Sequence, residues 1–126
     1  MNHFARRVFQ AAGIWGLSVL TLGYAVYLAG TDPSLLNVGH PELVHGFFLV
    51  CFPWQILFLV IATDPARYNA LMPVAVLEKL PFTAVVLSLY FLGQVGVQML
   101  VMAAADGLFG ILFCIAYWGT RRQSQG

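Results

Sequence analysis

Three ionisable side chains stand in sequence that offers them no water. Glu78 and Lys79 fall inside LMPVAVLEKLPFTAVVLSLYF, and Asp106 falls inside MLVMAAADGLFGILFCIAYW. A charged residue at the centre of a membrane helix costs about 2.5–3.5 kcal/mol on insertion scales, so each needs a partner, a proton or a polar cavity. Two carboxyl groups and one amine can form an interhelical ion pair that fixes a bundle. They can also anchor or protonate a ligand in a pocket, or line an ion pathway.

Mutual neutralisation within the Glu78–Lys79 pair is not expected, because adjacent helical residues point about 100° apart and partners on one face are three or four apart. Asp106 is the expected partner for Lys79, reached across to another helix. Their backbone heights differ by about 6 Å, four residues of helical rise, which a lysine stem can cover. Glu78 then either carries a proton or shares Lys79 with Asp106. Small residues surround Asp106: Ala103, Gly107 and Gly110, with Ala103-xxx-Gly107 forming a small-xxx-small pair that permits close helix approach. Ala12-xxx-Gly16 and Gly23 offer a second thin face on the first span. Pro81 has no N–H and leaves the carbonyl of Leu77 without its helical donor; Pro53 does the same to Leu49. Two such prolines near the midplane can bend their helices and open a polar cavity. Pro73, near a helix start, says less. Thr83 follows Lys79 at i+4.

A second group of polar residues lies on the segment before the DPARYN loop. His45, Phe48, Phe52 and Gln55 follow a three-four seam and are expected to share a face. His45 would titrate near neutrality and could transfer protons; bonding to Glu42, three residues earlier, is the simpler expectation. His40, Glu42 and His45 lack a distinctive metal-ligand spacing, and no metal is expected. Cys51 and Cys114 lie in apolar runs about two helical turns apart in depth, and read as two separate buried thiols. His3 reads as a solvated terminal residue.

These residues need long apolar elements to carry them, and the chain supplies four. Of its 126 residues 60% are hydrophobic and 9% charged, with a mean hydropathy of +0.83. Soluble domains carry about 25% charged residues, so this chain cannot clothe a globular surface in polar groups. A span of about 30 Å of hydrocarbon takes about 20 helical residues. Val8–Ala29, Pro41–Ala62, Ala70–Leu92 and Val97–Gly119 qualify, separated by GTDPSLLNVGH, TDPARYN and GQVGVQ. No alternating pattern of barrel strands is present. The first run exceeds the about 7–15 residues of a signal-peptide core and is read as a retained helix.

Arg6 and Arg7 precede the first span, Arg67 lies between the second and third, and Arg121 and Arg122 follow the fourth. A chain that weaves four times puts all of these arginines on one side, as the positive-inside rule demands. The expectation is an all-α, antiparallel four-transmembrane-helix bundle forming one domain, with both termini cytoplasmic, in a bacterial inner membrane. The short DPARYN loop makes spans two and three neighbours. Within it Asp64 caps the turn, and Arg67 and Tyr68 suit the headgroup layer. Tyr24, Tyr27, Tyr117 and Trp118 read as interfacial belt residues. A net charge of +1 gives no reason to expect nucleic acid or an acidic partner, and no motif for a cofactor is present.

TDPARYNALMPVAVLEKLPF, followed by AADGLFGILFCIAYWGTRR, resembles small bacterial four-helix membrane proteins of the DoxX-like and BphX-like families. The resemblance rests on DPxRY, the third-span EK and the fourth-span DGLFGxLF, covers spans two to four and concerns architecture. DoxX-like proteins are linked to quinone-dependent sulfur oxidation, but no redox-cofactor motif here carries that activity over. EXPERA-type sterol isomerases are similar only in placing acids and a histidine within a small bundle. Small multidrug exporters share length and span number, yet the first span here holds no acid. The reading is a small membrane binding or accessory protein. Glu78, Lys79, Asp106 and Gln55 would line a polar pocket between spans three and four. A lipid-, quinone- or isoprenoid-like ligand would enter from the bilayer. The alternatives are an acid–base enzyme on a lipophilic substrate, with Glu78, Asp106 and His45 as candidates, and a proton-coupled transporter. Pairing with a second copy, or with a larger membrane complex, stays open.

Overall fold

The computed structural model describes residues 2–30 and 39–125. The expected connection over residues 31–38 lies outside the described residues. Helix α1 runs over Asn2–Ala29, α2 over Pro41–Thr63, α3 over Met72–Phe91 and α4 over Val97–Gln125, with a 3-10 turn at Asn69–Leu71 leading into α3. All four helices are long and apolar enough to cross a membrane. The described residues contain no strand. In lipid a helix satisfies its own backbone polar groups, which a single extended segment cannot do.

The outer helices overrun their expected bounds. α1 begins six residues before Val8 and α4 continues six beyond Gly119. Counting apolar residues measures only the hydrocarbon layer, whereas Arg6, Arg7, Arg121 and Arg122 are themselves good helix formers and carry the turns onward. The ends of α1 and α3 follow local chemistry. Gly30 and Gly93 adopt left-handed backbone, φ 66° and 73°, where a side chain would be strained. At α3 the Gln94 N–H donates to Leu89 O at 2.9 Å and the Gly93 N–H to Tyr90 O at 3.0 Å, the paired bonds of a Schellman stop. Pro41 and Pro73 each occupy the first turn of their helix, where a missing N–H costs no intrahelical bond.

Contacts pair α1 with α2 and α3 with α4, and α1 joins the pairs through α4, while α2 and α3 barely touch. The buried core gathers at one end: Ala5, Phe9 and Ala12 from α1, Phe58 and Ile61 from α2, Met72 and Ala75 from α3, and Phe113 and Ala116 from α4. Phe9 stacks on Phe113 with ring centroids 4.2 Å apart, and Phe58 meets Phe113 edge-on at 5.1 Å. The same end holds the Arg6 guanidinium on Thr63 O and the Asn69 amide on Tyr117 O. Large apolar side chains cover the outside instead, with Leu22, Leu77 and Val101 each more than three-fifths exposed. A water-soluble helix hides that stripe; helices greasy on every face belong in lipid. By length, composition and this outward apolar surface, the chain is a multi-pass membrane protein.

Candidate functional site

The close approach of α3 and α4 comes first. Gly107 lies so near α3 that an added Cβ would stand 3.0 Å from Thr83 Cγ2, and one on Gly110 would stand 2.6 Å from Leu80 Cδ2. The Thr83 hydroxyl donates across to Ala103 O at 2.9 Å, with Lys79 O 3.3 Å away as a second acceptor. With the helices this close, Lys79 Nζ reaches Asp106 Oδ1 at 3.3 Å. The cross-helix partner expected from charge and depth is therefore in place.

Glu78 departs from its expected geometry. Lys79 Nζ also lies 3.6 Å from Glu78 Oε2, so sequence neighbours do approach one another. The 100° separation fixes the Cα–Cβ directions, but a four-carbon stem swings its ammonium between two carboxylates. The third side of that ammonium faces the Phe58 ring, 5.2 Å from its centroid, a cation–π arrangement. Lys79 is only 3% exposed, while the side chains of Glu78 and Asp106 keep 16% and 23%. The amine is enclosed and the acids look outward.

They look into a cleft of about 460 Å³. Its floor is Glu78, Lys79 and Asp106; its walls come from all four helices, including Trp15 and Gly16 of α1, Phe48, Trp54 and Gln55 of α2, Phe82 of α3, and Met99 and Met102 of α4. The pocket expected between α3 and α4 is thus displaced. Those two helices are in tight contact, and the space opens between them as a pair and the α1–α2 pair. The phenylalanine core ties the pairs together at one end, and the cleft occupies the part of the bundle beyond it.

Gln55 sits in the cleft wall and is 2% exposed. Its Nε2 donates to Cys51 O at 3.1 Å, which turns Oε1 towards the bare Cα of Gly16. Among the described residues, Gln55 Oε1 and Glu78 Oε2 are buried side-chain acceptors with no hydrogen-bond donor. Such atoms are uncommon and call for an explanation.

The expected seam on α2 is shifted. Phe48 and Gln55 do share a face, but Cys51 lies between them in the cleft wall and Phe52 does not line it. Spacings of three-then-four and four-then-three satisfy helical periodicity equally, so the sequence leaves that phase open. Cys51 and Cys114 are both free thiols.

His45 is not brought to the acids. Its Nδ1 lies 2.8 Å from the Tyr24 hydroxyl, its ring meets Tyr27 edge-on at 5.2 Å, and it does not line the cleft. Glu42 instead pairs with His40 at 3.1 Å, correcting the expected Glu42–His45 bond. Tyr24 and Tyr27 serve as the packing partners of His45 and Phe48. Among the described residues no three His, Cys, Asp or Glu side chains gather as a metal site. At the opposite end Asp64 Oδ1 accepts from the Arg67 N–H at 3.2 Å, the expected turn cap. Arg121 lies over the rings of Tyr117 and Trp118.

Sequence reasoning overlooked Trp54, Phe82 and the methionines of α4. Their only signal is residue type on a helix already apolar throughout. Comparison with protein-family models, with curated proteins and with solved structures gives no match.

Proposed function

We propose that this protein is a small multi-pass membrane protein that binds a lipophilic molecule in the cleft above Lys79, Glu78 and Asp106. The observation that carries this reading is the combination of an apolar chamber of about 460 Å³ with a floor of three ionisable groups. Ligand sites are typically concave, mostly apolar and provided with a few convergent polar groups. Lipid-, quinone- and isoprenoid-like bodies are the classes that reach such a cleft from the bilayer. The helices run antiparallel with both termini in the cytoplasm of a bacterium. Contacts Arg6–Thr63, Phe9–Phe58 and Tyr24–His45 support the alternation for α1 and α2, and the one-sided arginines support the orientation. The likeness to DoxX-like and BphX-like proteins fits this architecture and assigns no activity.

The test is mass spectrometry of molecules retained after gentle purification. Wild type should hold a lipophile that Lys79→Met and Asp106→Asn lose by about tenfold or more, since Lys79→Met leaves two acids without their ammonium and Asp106→Asn removes the ion pair that joins α3 to α4 at the cleft floor. Retention and fold stability unchanged in both variants would remove the basis of the proposal. Acid–base catalysis on the same lipophile is the second reading, favoured by the partly exposed Glu78 carboxyl group in the cleft floor. The same assay separates the two: a new product that Glu78→Gln abolishes marks turnover.

A further inference from the structure

We infer that the cleft is selective for a lipophilic amine, bound through its ammonium group. This rests on the cleft being a ligand site and adds the chemistry of the ligand's polar end.

Hydrogen-bonding capacity at the floor is one-sided. The ammonium of Lys79 is directed into the protein, with Asp106 Oδ1 at 3.3 Å, Glu78 Oε2 at 3.6 Å and the Phe58 ring at 5.2 Å. With 3% exposure it has little left to offer a ligand. What faces the cleft is acceptor: the carboxyl groups of Glu78 and Asp106, both partly exposed. A carboxylate accepts and cannot donate when ionised. A ligand phosphate, carboxylate or quinone carbonyl would set acceptor against acceptor.

Charge points the same way. Two carboxylates against one ammonium leave one negative charge over when both acids are ionised. An unbalanced charge in apolar surroundings is strongly unfavourable. An incoming ammonium supplies both the missing positive charge and up to three N–H donors. Around this floor stand the rings of Trp15, Phe48, Trp54 and Phe82. Aromatic faces attract cations, and their breadth accommodates an apolar body. A neutral alcohol matches the donor requirement alone; an amine matches donor, charge and wall together.

Three probes that share one cage and differ in the head decide the matter: 1-aminoadamantane, 1-adamantanol and 1-adamantanecarboxylate. The full chain in phosphatidylcholine nanodiscs is titrated with each at neutral pH, following tryptophan fluorescence and subtracting protein-free discs. The amine should bind at least about tenfold more tightly than the alcohol, as charge-assisted hydrogen bonds outweigh neutral ones. The carboxylate should bind weakest. Glu78→Gln should weaken the amine by about tenfold and leave the alcohol within about threefold. Equal binding of the three, preference for the alcohol or carboxylate, or no binding of the amine overturns the inference. The wild-type ranking depends on no variant folding. A lipophile still retained in the mass-spectrometric assay would then leave the binding reading standing while the amine assignment falls.

Discussion

Lys79 holds its place because its ammonium lies between two acids and faces an aromatic ring. A lone lysine at that depth would be expelled or neutralised. Flanked in this way, it becomes the fixed point around which the cleft floor is arranged. Gly16 plays the matching part on the wall, because the Gln55 side chain occupies the volume that a Cβ would need. Gly16→Ala should therefore lower stability by about 1–3 kcal/mol, the usual range for overpacking a tight contact. Gly23→Ala should cost less, since its Cβ would meet only the Phe48 ring edge, at 3.3 Å. Thermal unfolding in one detergent checks the order; equal melting temperatures for the two variants would contradict the close packing of Gln55 on α1.

The pairing of helices, more than their composition, decides where polar groups meet. α3 and α4 approach through Gly107, Gly110 and Ala103, and that approach brings Asp106 to Lys79. Gly110→Leu alters no charge, yet it should drive the helices apart and weaken lipophile retention as much as Asp106→Asn does. Retention at the wild-type level in Gly110→Leu would show that the ion pair does not depend on this seam. The existence of four helices was legible because a membrane span leaves its mark in run length. The Lys79–Asp106 partnership was legible because buried charges must be matched at similar depth. The position of the cleft was not. In lipid, core-facing and lipid-facing residues are both apolar, so facial periodicity is faint and the phase of α2 could fall on Phe52 or on Cys51. How far the two helix pairs diverge depends on packing between segments distant in sequence. His45 misled for another reason: its residue type suggested proton transfer alongside the acids, but Tyr24 on another helix claimed its ring nitrogen.

The molecule as a whole is asymmetric from end to end. Arg6, Thr63, Asn69 and Tyr117 cluster with the phenylalanine core at one end, and the cleft lies away from it. If that end faces the cytoplasm, a cysteine at Gln94 should react in intact cells with a membrane-impermeant thiol reagent. A cysteine at Arg67 should react only after the cells are opened, with Cys51 and Cys114 replaced by alanine in both cases. The opposite pattern would reverse the proposed orientation, and labelling of both sites in intact cells would deny it a single sense.

The stacked rings of Phe9 and Phe113, with Phe58 against their side, carry one last implication. Phe58 also faces the Lys79 ammonium at the cleft floor, so the packed rings lie next to the floor without lining the cleft. A guest resting on the acids, as proposed, would meet those rings before it could pass towards that end. In this conformation the bundle is a cul-de-sac; through-traffic would require those three rings to separate.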